Sequence, residues 1–158
     1  MKHGVFAIYG IALGVMLTSS RIDAYQDSNA ASALQVQVSY TGAGSVDEKH
    51  KVYVVLWDTP EFVNGSGAMP VAIKSISSKS GAVTFSDVSK TPAYVSTVYD
   101  ASGQWDAQSP PPEGSSLGLY SKTPGTPAPI DLKPESKTTI ELAFDDSVKM
   151  KGGKATPQ

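Results

Sequence analysis

Cysteine is absent from the 158-residue chain. No disulfide, thiolate metal site or lipid-modified N-terminal cysteine can therefore form, and the fold must be held together by packing alone. Histidine is nearly absent too, since only His3 and His50 occur. His3 lies within the first 24 residues, which we predict to be removed as a signal peptide, and the one remaining imidazole cannot build a histidine-based shell, which excludes the usual zinc and copper sites.

An excess of charge of either sign is also lacking. The chain has 13 Lys and Arg residues against 15 Asp and Glu residues, a net charge of −2. Without the first 24 residues, which include Lys2, Arg21 and Asp23, the net charge is near −3. This balance gives no electrostatic basis for binding nucleic acid or an anionic membrane surface, so we expect neither as a partner.

The one long apolar run, GVFAIYGIALGVML over residues 4–17, follows Lys2 and precedes the polar segment TSSRIDA. This is the organisation of a secretory signal, and the run is shorter than the roughly 20 residues of a membrane-spanning helix. We predict a signal peptide over residues 1–24 that is cleaved after Ala24, with cleavage as late as Ala33 as the alternative. The mature protein is then expected to be periplasmic or extracellular, without stable membrane insertion.

After a polar lead-in over residues 25–33, short segments show β-strand periodicity. LQVQVSY (34–40) alternates apolar and polar residues and predicts a half-buried strand, whereas KVYVVLW (51–57) is apolar on both parities and predicts a strand covered on both faces. AVTF, AYVSTVYD and TTIELAF continue the series between turn residues, and no window predicts a helix. We predict one all-β domain over residues 34–150 and a disordered polar tail over residues 151–158.

Proline is concentrated in one stretch, because seven of the eleven prolines lie between residues 109 and 134. Proline removes backbone donors and favours extended or turn conformations. We predict a long ordered connection with at most brief edge strands around residues 117–120 and 129–132. A proline-rich partner-binding segment is the alternative.

The segment SGAVTFSDVSKTPAYVSTVYDASGQWD, residues 80–106, contains in order a glycine, an apolar-x-Phe strand, a turn, a Tyr-x-apolar strand and two acids flanking a glycine. It resembles the signature of prealbumin-like sandwiches, seen in carboxypeptidase regulatory-like and Cna-B-like domains of secreted bacterial proteins. The resemblance implies a single seven-stranded antiparallel Greek-key sandwich of Ig-like architecture. Those families usually have Pro-Gly before the tyrosine, where this chain has SKTPA. A shared fold does not assign an activity.

The loop DASGQWD carries oxygen ligands suited to calcium. Asp100, Ser102 and Asp106 could supply them, and Asp145 and Asp146 could join if the last strand ends at the same pole. The same residue types also form ordinary turns between strands. The sequence leaves both interpretations open, and it predicts no other cofactor.

Three aromatic residues, Trp57, Trp105 and Tyr120, lie at predicted strand ends or in loops. Flat rings at such positions can stack on a sugar or on the apolar surface of a partner, which makes these residues candidates for ligand binding. The alternative is that Trp57, together with Tyr99, caps the core and that Trp105 covers one edge of the sandwich. His50, in the charged turn DEKHK, gives no indication of a nucleophile and base pair.

Together these features predict a non-enzymatic binding or accessory module of the cell envelope with an unknown protein or glycan as partner. The alternatives are a calcium- or carbohydrate-binding module and a small extracytoplasmic hydrolase that uses clustered carboxylates, as sugar-cleaving enzymes use paired acids. A hydrolase should gather acids such as Asp100, Asp106, Asp145 and Asp146 in a cleft with shifted titration. A binding module should disperse them over turns.

Overall fold

The computed structural model describes residues 32–65, 67–151 and 154–157. The predicted signal peptide, residues 1–24, lies outside these residues together with its predicted cleavage site at Ala24. The alternative cleavage site, Ala33, is described, but most of the predicted lead-in is not. The described part contains nine strands: β1 (Ser32–Tyr40), β2 (Val52–Trp57), β3 (Ala72–Ile76), β4 (Ser80–Val88), β5 (Tyr94–Tyr99), β6 (Ser116–Leu119), β7 (Lys137–Phe144), β8 (Val148–Lys151) and β9 (Lys154–Pro157). One 3-10 turn, Pro60–Asn64, follows β2.

The strands form two sheets, with the order β4-β1-β7 in the smaller sheet and β3-β2-β5-β6-β8-β9 in the larger. In the smaller sheet, β1 pairs antiparallel with β4 and parallel with β7, so that Val36 lies between Val83 and Ile140. Alternate residues of β1 are buried, as the period of two predicts. These three strands therefore present one apolar side to the larger sheet.

The inward side chains of both sheets form one hydrophobic cluster. The smaller sheet contributes Leu34, Val36, Val38, Tyr40, Val83, Phe85, Val88, Ile140, Leu142 and Phe144, and the larger contributes Val52, Val54, Leu56, Val95 and Tyr99. Val55 is 2% exposed although it lies on the opposite face of β2 from Val54 and Leu56. Tyr53 and Trp57 on that opposite face are half-buried, so the outer face of β2 is covered at its centre and partly open at both ends.

The prediction of seven antiparallel strands is corrected in two respects. The part of the chain that the structure describes has nine strands, and the β1–β7 pair is parallel. The two additional strands are β8 and β9, each only four residues long, which is too short for a periodic pattern to stand out. They pair with each other, and Lys151 lies opposite Lys154 in the segment that the sequence predicts to be a disordered tail. The Greek-key connection is not confirmed.

The proline-rich connection contains one strand, β6, at the position where a brief strand is predicted. It lies between β5 and β8 inside the larger sheet rather than at its edge. The second predicted strand is reduced to an isolated bridge between Ala93 and Ile130. Across the residues described, no helix has the length and apolar character needed to cross a bilayer.

Candidate functional site

The ends of three strands converge at one pole of the sandwich. Tyr40 ends β1 and Tyr99 ends β5, and their rings stack with centroids 4.5 Å apart and an interplanar angle of 25°. Phe144, at the end of β7, has its ring centroid 5.0 Å from that of Tyr40. Asp100 and Asp146, which follow β5 and β7, therefore leave the two sheets at the same pole.

Asp146 connects segments that are distant in the sequence. Its Oδ1 accepts hydrogen bonds from the Tyr40 hydroxyl at 2.6 Å and the Ser116 hydroxyl at 2.5 Å. Its Oδ2 accepts one from the Ala43 amide at 2.8 Å. The end of β7 is thereby joined to β1, to the loop after β1 and to β6.

The surroundings of Asp146 favour its charged form. Burial by itself raises the pKa of this carboxyl, but hydrogen bonds from Ser116, Tyr40 and Ala43 outweigh burial and lower the pKa to about 2. Burial and the hydrogen bond to Asp146 raise the pKa of Tyr40 to about 12. The pair is a phenol and a carboxylate at neutral pH, whereas a catalytic acid needs a raised carboxyl pKa.

Asp100 holds the loop that follows β5. The residue is 0% exposed, and its Oδ1 accepts hydrogen bonds from the Ser102 amide at 2.9 Å and hydroxyl at 2.6 Å. Its Oδ2 accepts one from the Trp105 amide at 2.8 Å. Burial raises the pKa of Asp100, but these hydrogen bonds lower it overall. Both oxygens thus accept hydrogen bonds from donors of the loop itself.

Asp106 and Asp145 are exposed and cap turns. Asp106 Oδ1 accepts hydrogen bonds from the Ser109 amide at 3.0 Å, the Ser109 hydroxyl at 2.8 Å and the Gln108 amide at 2.9 Å, which lower its pKa to about 2. Asp145 Oδ1 accepts from the Ser147 amide at 2.8 Å, and hydrogen bonding to Ser147 lowers the pKa of Asp145. These are turns closed by aspartate side chains.

The predicted calcium ligands Asp100, Ser102 and Asp106 share one loop, but the two carboxylates cap successive turns of it. Asp145 and Asp146 follow β7, where Asp145 caps its own turn and Asp146 bonds to other segments. Among residues 32–65, 67–151 and 154–157, no group of three or more His, Cys, Asp and Glu side chains is placed to hold a metal ion. Calcium binding at the loop stays a prediction.

Trp57 lies at the end of β2, on the face of the larger sheet that points away from the core. Its neighbour Leu56 belongs to the core, and alternation along the strand directs the indole outward. The ring stacks on Phe62 from the 3-10 turn, with centroids 4.6 Å apart and an interplanar angle of 7°. Its Nε1 donates a hydrogen bond to the Ser96 hydroxyl on β5 at 2.9 Å.

Trp105 covers the other end of β2 on the same face. Its ring meets Tyr53 edge to face, with centroids 4.8 Å apart and an interplanar angle of 78°. The Tyr53 hydroxyl donates to the Trp105 carbonyl at 3.4 Å, and Trp105 Nε1 donates to the Ser109 carbonyl at 2.8 Å. Trp105 is therefore half-buried and held by its own loop.

Trp57 and Trp105 belong to one continuous surface, which we call the aromatic face. Strand pairing and ring contacts place there Tyr53, Val55, Trp57, Phe62, Ile73, Tyr94, Val98, Trp105, Leu117 and Leu119. Val55 and Val98 are 2% and 4% exposed, and the other members are half-buried. Three exposed apolar side chains, Val63, Met69 and Val71, come from the segment between β2 and β3. Apolar outer sheet faces of this kind mark interaction surfaces more often than isolated surface residues do.

Tyr120, the third candidate aromatic, is not part of the aromatic face. It packs against the hydrophobic core, and its amide donates to the Val95 carbonyl at 3.0 Å. Its own carbonyl accepts from the Ala128 amide at 2.9 Å, which anchors the proline-rich connection. The structure thus brings Trp57 and Trp105 to one surface and places Tyr120 elsewhere.

An open concavity of about 620 Å³ lies on the outer face of the smaller sheet. Small side chains such as Ser39, Ala82 and Ala143 line it, and Glu141 is its only carboxylate. The four aspartates singled out from the sequence do not line it. It therefore lacks the paired acids that a glycoside hydrolase requires.

Two groups of residues were missed by sequence reasoning. Tyr40 and Ser116 bind Asp146 across long sequence separations, and no local pattern predicts such a bond. Tyr53 could have been found, because it shares the parity of Trp57 in KVYVVLW. Phe62 could not, because its position depends on the 3-10 turn.

No family model matches the chain, and no curated protein matches it either. Among solved structures, the chain is similar to an alternative pilotin from the type II secretion system of Vibrio cholerae. The TM-score is 0.42 and the identity 14%, over 77% of this chain and 99% of the other. A likeness this low supports no argument about function.

Proposed function

We propose that this protein is a non-enzymatic binding module of the cell envelope, outside the cytoplasm, that binds a protein partner through the aromatic face. The observation that carries the proposal is the pair of aromatic contacts at the two ends of β2, Trp57 with Phe62 and Tyr53 with Trp105. Aromatic rings offer a large contact area at low cost in conformational entropy, and they dominate the energetics of protein interfaces.

A protein partner fits this face better than a glycan does. The polar atoms of three of its aromatic residues are already engaged, because Trp57 Nε1 donates to Ser96, the Tyr53 hydroxyl donates to the Trp105 carbonyl, and Trp105 Nε1 donates to the Ser109 carbonyl. Sugar recognition needs free polar groups beside the ring to fix orientation. An apolar protein surface needs only the rings and the aliphatic side chains between them.

The hydrolase alternative has less support. Hydrogen bonds lower the pKa of Asp100, Asp106, Asp145 and Asp146, whereas a sugar-cleaving enzyme needs one acid with a raised pKa. Each of these carboxylates also accepts a hydrogen bond from a backbone amide and thereby anchors a turn or a loop. These contacts support a structural role for the acids.

Location outside the cytoplasm remains part of the proposal and rests on the signal-like sequence of residues 1–24. A relationship to prealbumin-like and carboxypeptidase regulatory-like domains is likewise proposed, from the resemblance of residues 80–106. The two-sheet, nearly all-β architecture supports it at the level of fold.

Photo-crosslinking in cells that produce the protein tests whether the aromatic face binds a partner. A benzophenone amino acid replaces Tyr94 on the aromatic face or, as the control, Gln37 on the outer face of the smaller sheet. We expect a discrete protein adduct from position 94 and none from position 37. Leu119→Lys should remove the adduct, since it places a charge among apolar side chains, while circular dichroism verifies that the fold persists.

Equal adducts from both positions, or an adduct that survives Leu119→Lys, would contradict the proposal. A glycan panel provides the second discrimination. Quenching or enhancement of tryptophan fluorescence by a glycan, abolished in Trp57→Ala, would favour the carbohydrate-binding alternative instead.

A further inference from the structure

Asparagine occurs twice in the chain, at Asn29 before Ala30 and at Asn64 before Gly65. Asn64 is the last residue of the 3-10 turn, and its side chain is exposed. Gly65 follows in the left-handed conformation, with φ 66° and ψ 28°. From this arrangement we propose that Asn64 is a site of spontaneous deamidation whose product loosens the Phe62–Trp57 stack. The chemistry is independent of the proposed function.

The backbone at Asn64 can reach the reactive geometry at little cost. The turn Pro60–Asn64 contains no buried residue, so its opening exposes no core. Short 3-10 turns also fray readily at their ends. A Cβ built on Gly65 would meet no atom within 4 Å, and the glycine itself has no side chain to shield its amide nitrogen.

The reaction needs only water. The Gly65 amide nitrogen attacks Cγ of Asn64, the new N–C bond closes a cyclic succinimide, and Nδ2 departs as ammonia with the proton that the Gly65 nitrogen loses. Water then adds to one of the two imide carbonyls and opens the ring to aspartate or isoaspartate. No oxidation or reduction occurs, and the side chain gains about one dalton and a negative charge.

The new charge appears where it disrupts the turn. In the intact protein, Asn64 Nδ2 donates a hydrogen bond to Glu61 Oε2 at 3.1 Å. After deamidation that donor is gone and a second carboxylate faces Glu61, so the contact changes from attraction to repulsion. The same turn carries Phe62, which stacks on Trp57 at 4.6 Å. Loosening of the turn therefore weakens the stack.

Peptide mass spectrometry tests the reaction in the folded full chain. During incubation at mildly alkaline pH, the tryptic peptide of residues 52–74, which contains Asn64, should gain about one dalton several-fold faster than the tryptic peptide that contains Asn29 and ends at Lys49. The variant Asn64→Gln keeps an amide but closes the ring poorly, so its 52–74 peptide should stay unchanged. If the two peptides gain mass at equal rates, or only after denaturation in urea, the proposed site is overturned.

Tryptophan fluorescence tests the consequence. In a Trp105→Phe background, which leaves Trp57 as the only tryptophan, Asn64→Asp should shift the emission toward that of Phe62→Ala at neutral pH. Acidification should reverse the shift, because protonation removes the repulsion with Glu61. Asn64→Gln is the matched control and should keep the parent spectrum. An Asn64→Asp spectrum identical to that of the parent at neutral pH would overturn the link to the stack.

Discussion

At the residue scale, Asp146 joins β7 to segments that lie far from it in the sequence. Asp146→Asn keeps the shape of the side chain but turns an NH2 group toward atoms that donate hydrogen bonds. We expect a loss of about 1–3 kcal/mol in the free energy of unfolding, because buried donors lose their acceptor. Urea denaturation at neutral pH measures it. Asp145→Asn is the matched control and should change little, since Asp145 is exposed and caps only its own turn.

The contribution of Asp146 should depend on pH. Its pKa is about 2 in the folded protein and 3.8 as the ordinary value. A carboxyl whose pKa is lower in the folded state stabilises the fold above the unfolded pKa, and that contribution is lost as the pH falls from about 4 to about 2. The difference in unfolding free energy between wild type and Asp146→Asn should shrink over this range. A constant difference would show that the charge is not its source.

Gly118 gives a second prediction at the residue scale. A Cβ at this position would lie 2.6 Å from Cβ of Phe144 and even closer to the Thr97 hydroxyl, inside the sandwich. Gly118→Ala should therefore destabilise the protein by about 1–3 kcal/mol through overpacking. Gly81→Ala is the control, because its nearest neighbour would be the Cγ2 methyl of Ile76 at 3.3 Å, a much less crowded position than that of Gly118. Equal melting temperatures for the two variants would contradict the prediction.

At the scale of elements, the loop after β5 is closed by its own hydrogen bonds. Both carboxylate oxygens of Asp100 accept hydrogen bonds from amide or hydroxyl groups of the loop. We therefore expect the melting temperature of the full chain to be the same in millimolar calcium and in chelator. Binding to the folded state alone would raise it. A calcium-dependent rise of several degrees that disappears in Asp106→Asn would instead make this loop a metal site.

Sequence periodicity was a good guide to some elements and a poor one to others. β1, β2 and β7 were predictable because alternating or continuous apolar residues reflect burial directly. β8 and β9 were not, because each is only four residues long and offers too few alternating positions to stand out. β6 was predicted as an edge strand, and its inner position depends on β8, which the sequence does not reveal.

At the scale of the whole molecule, the all-β class followed from strand spacing, and the expectation of a two-sheet sandwich followed from the resemblance of residues 80–106. The candidate site followed only in part. Trp57 and Trp105 were identified as separate residues, but their common surface depends on the pairing of β2 with β5 and on two loops that fold over it. Such long-range geometry has no counterpart in a local sequence pattern.

The parallel pair of β1 and β7 constrains the order in which this chain can fold. β1 is the central strand of the smaller sheet, and one of its two neighbours is β7, which lies about a hundred residues further along the chain. A chain that emerges from the ribosome N-terminus first cannot complete this sheet until β7 has been synthesised. Until then β1 can pair only with β4, and the other edge of β1 stays open on the nascent polypeptide.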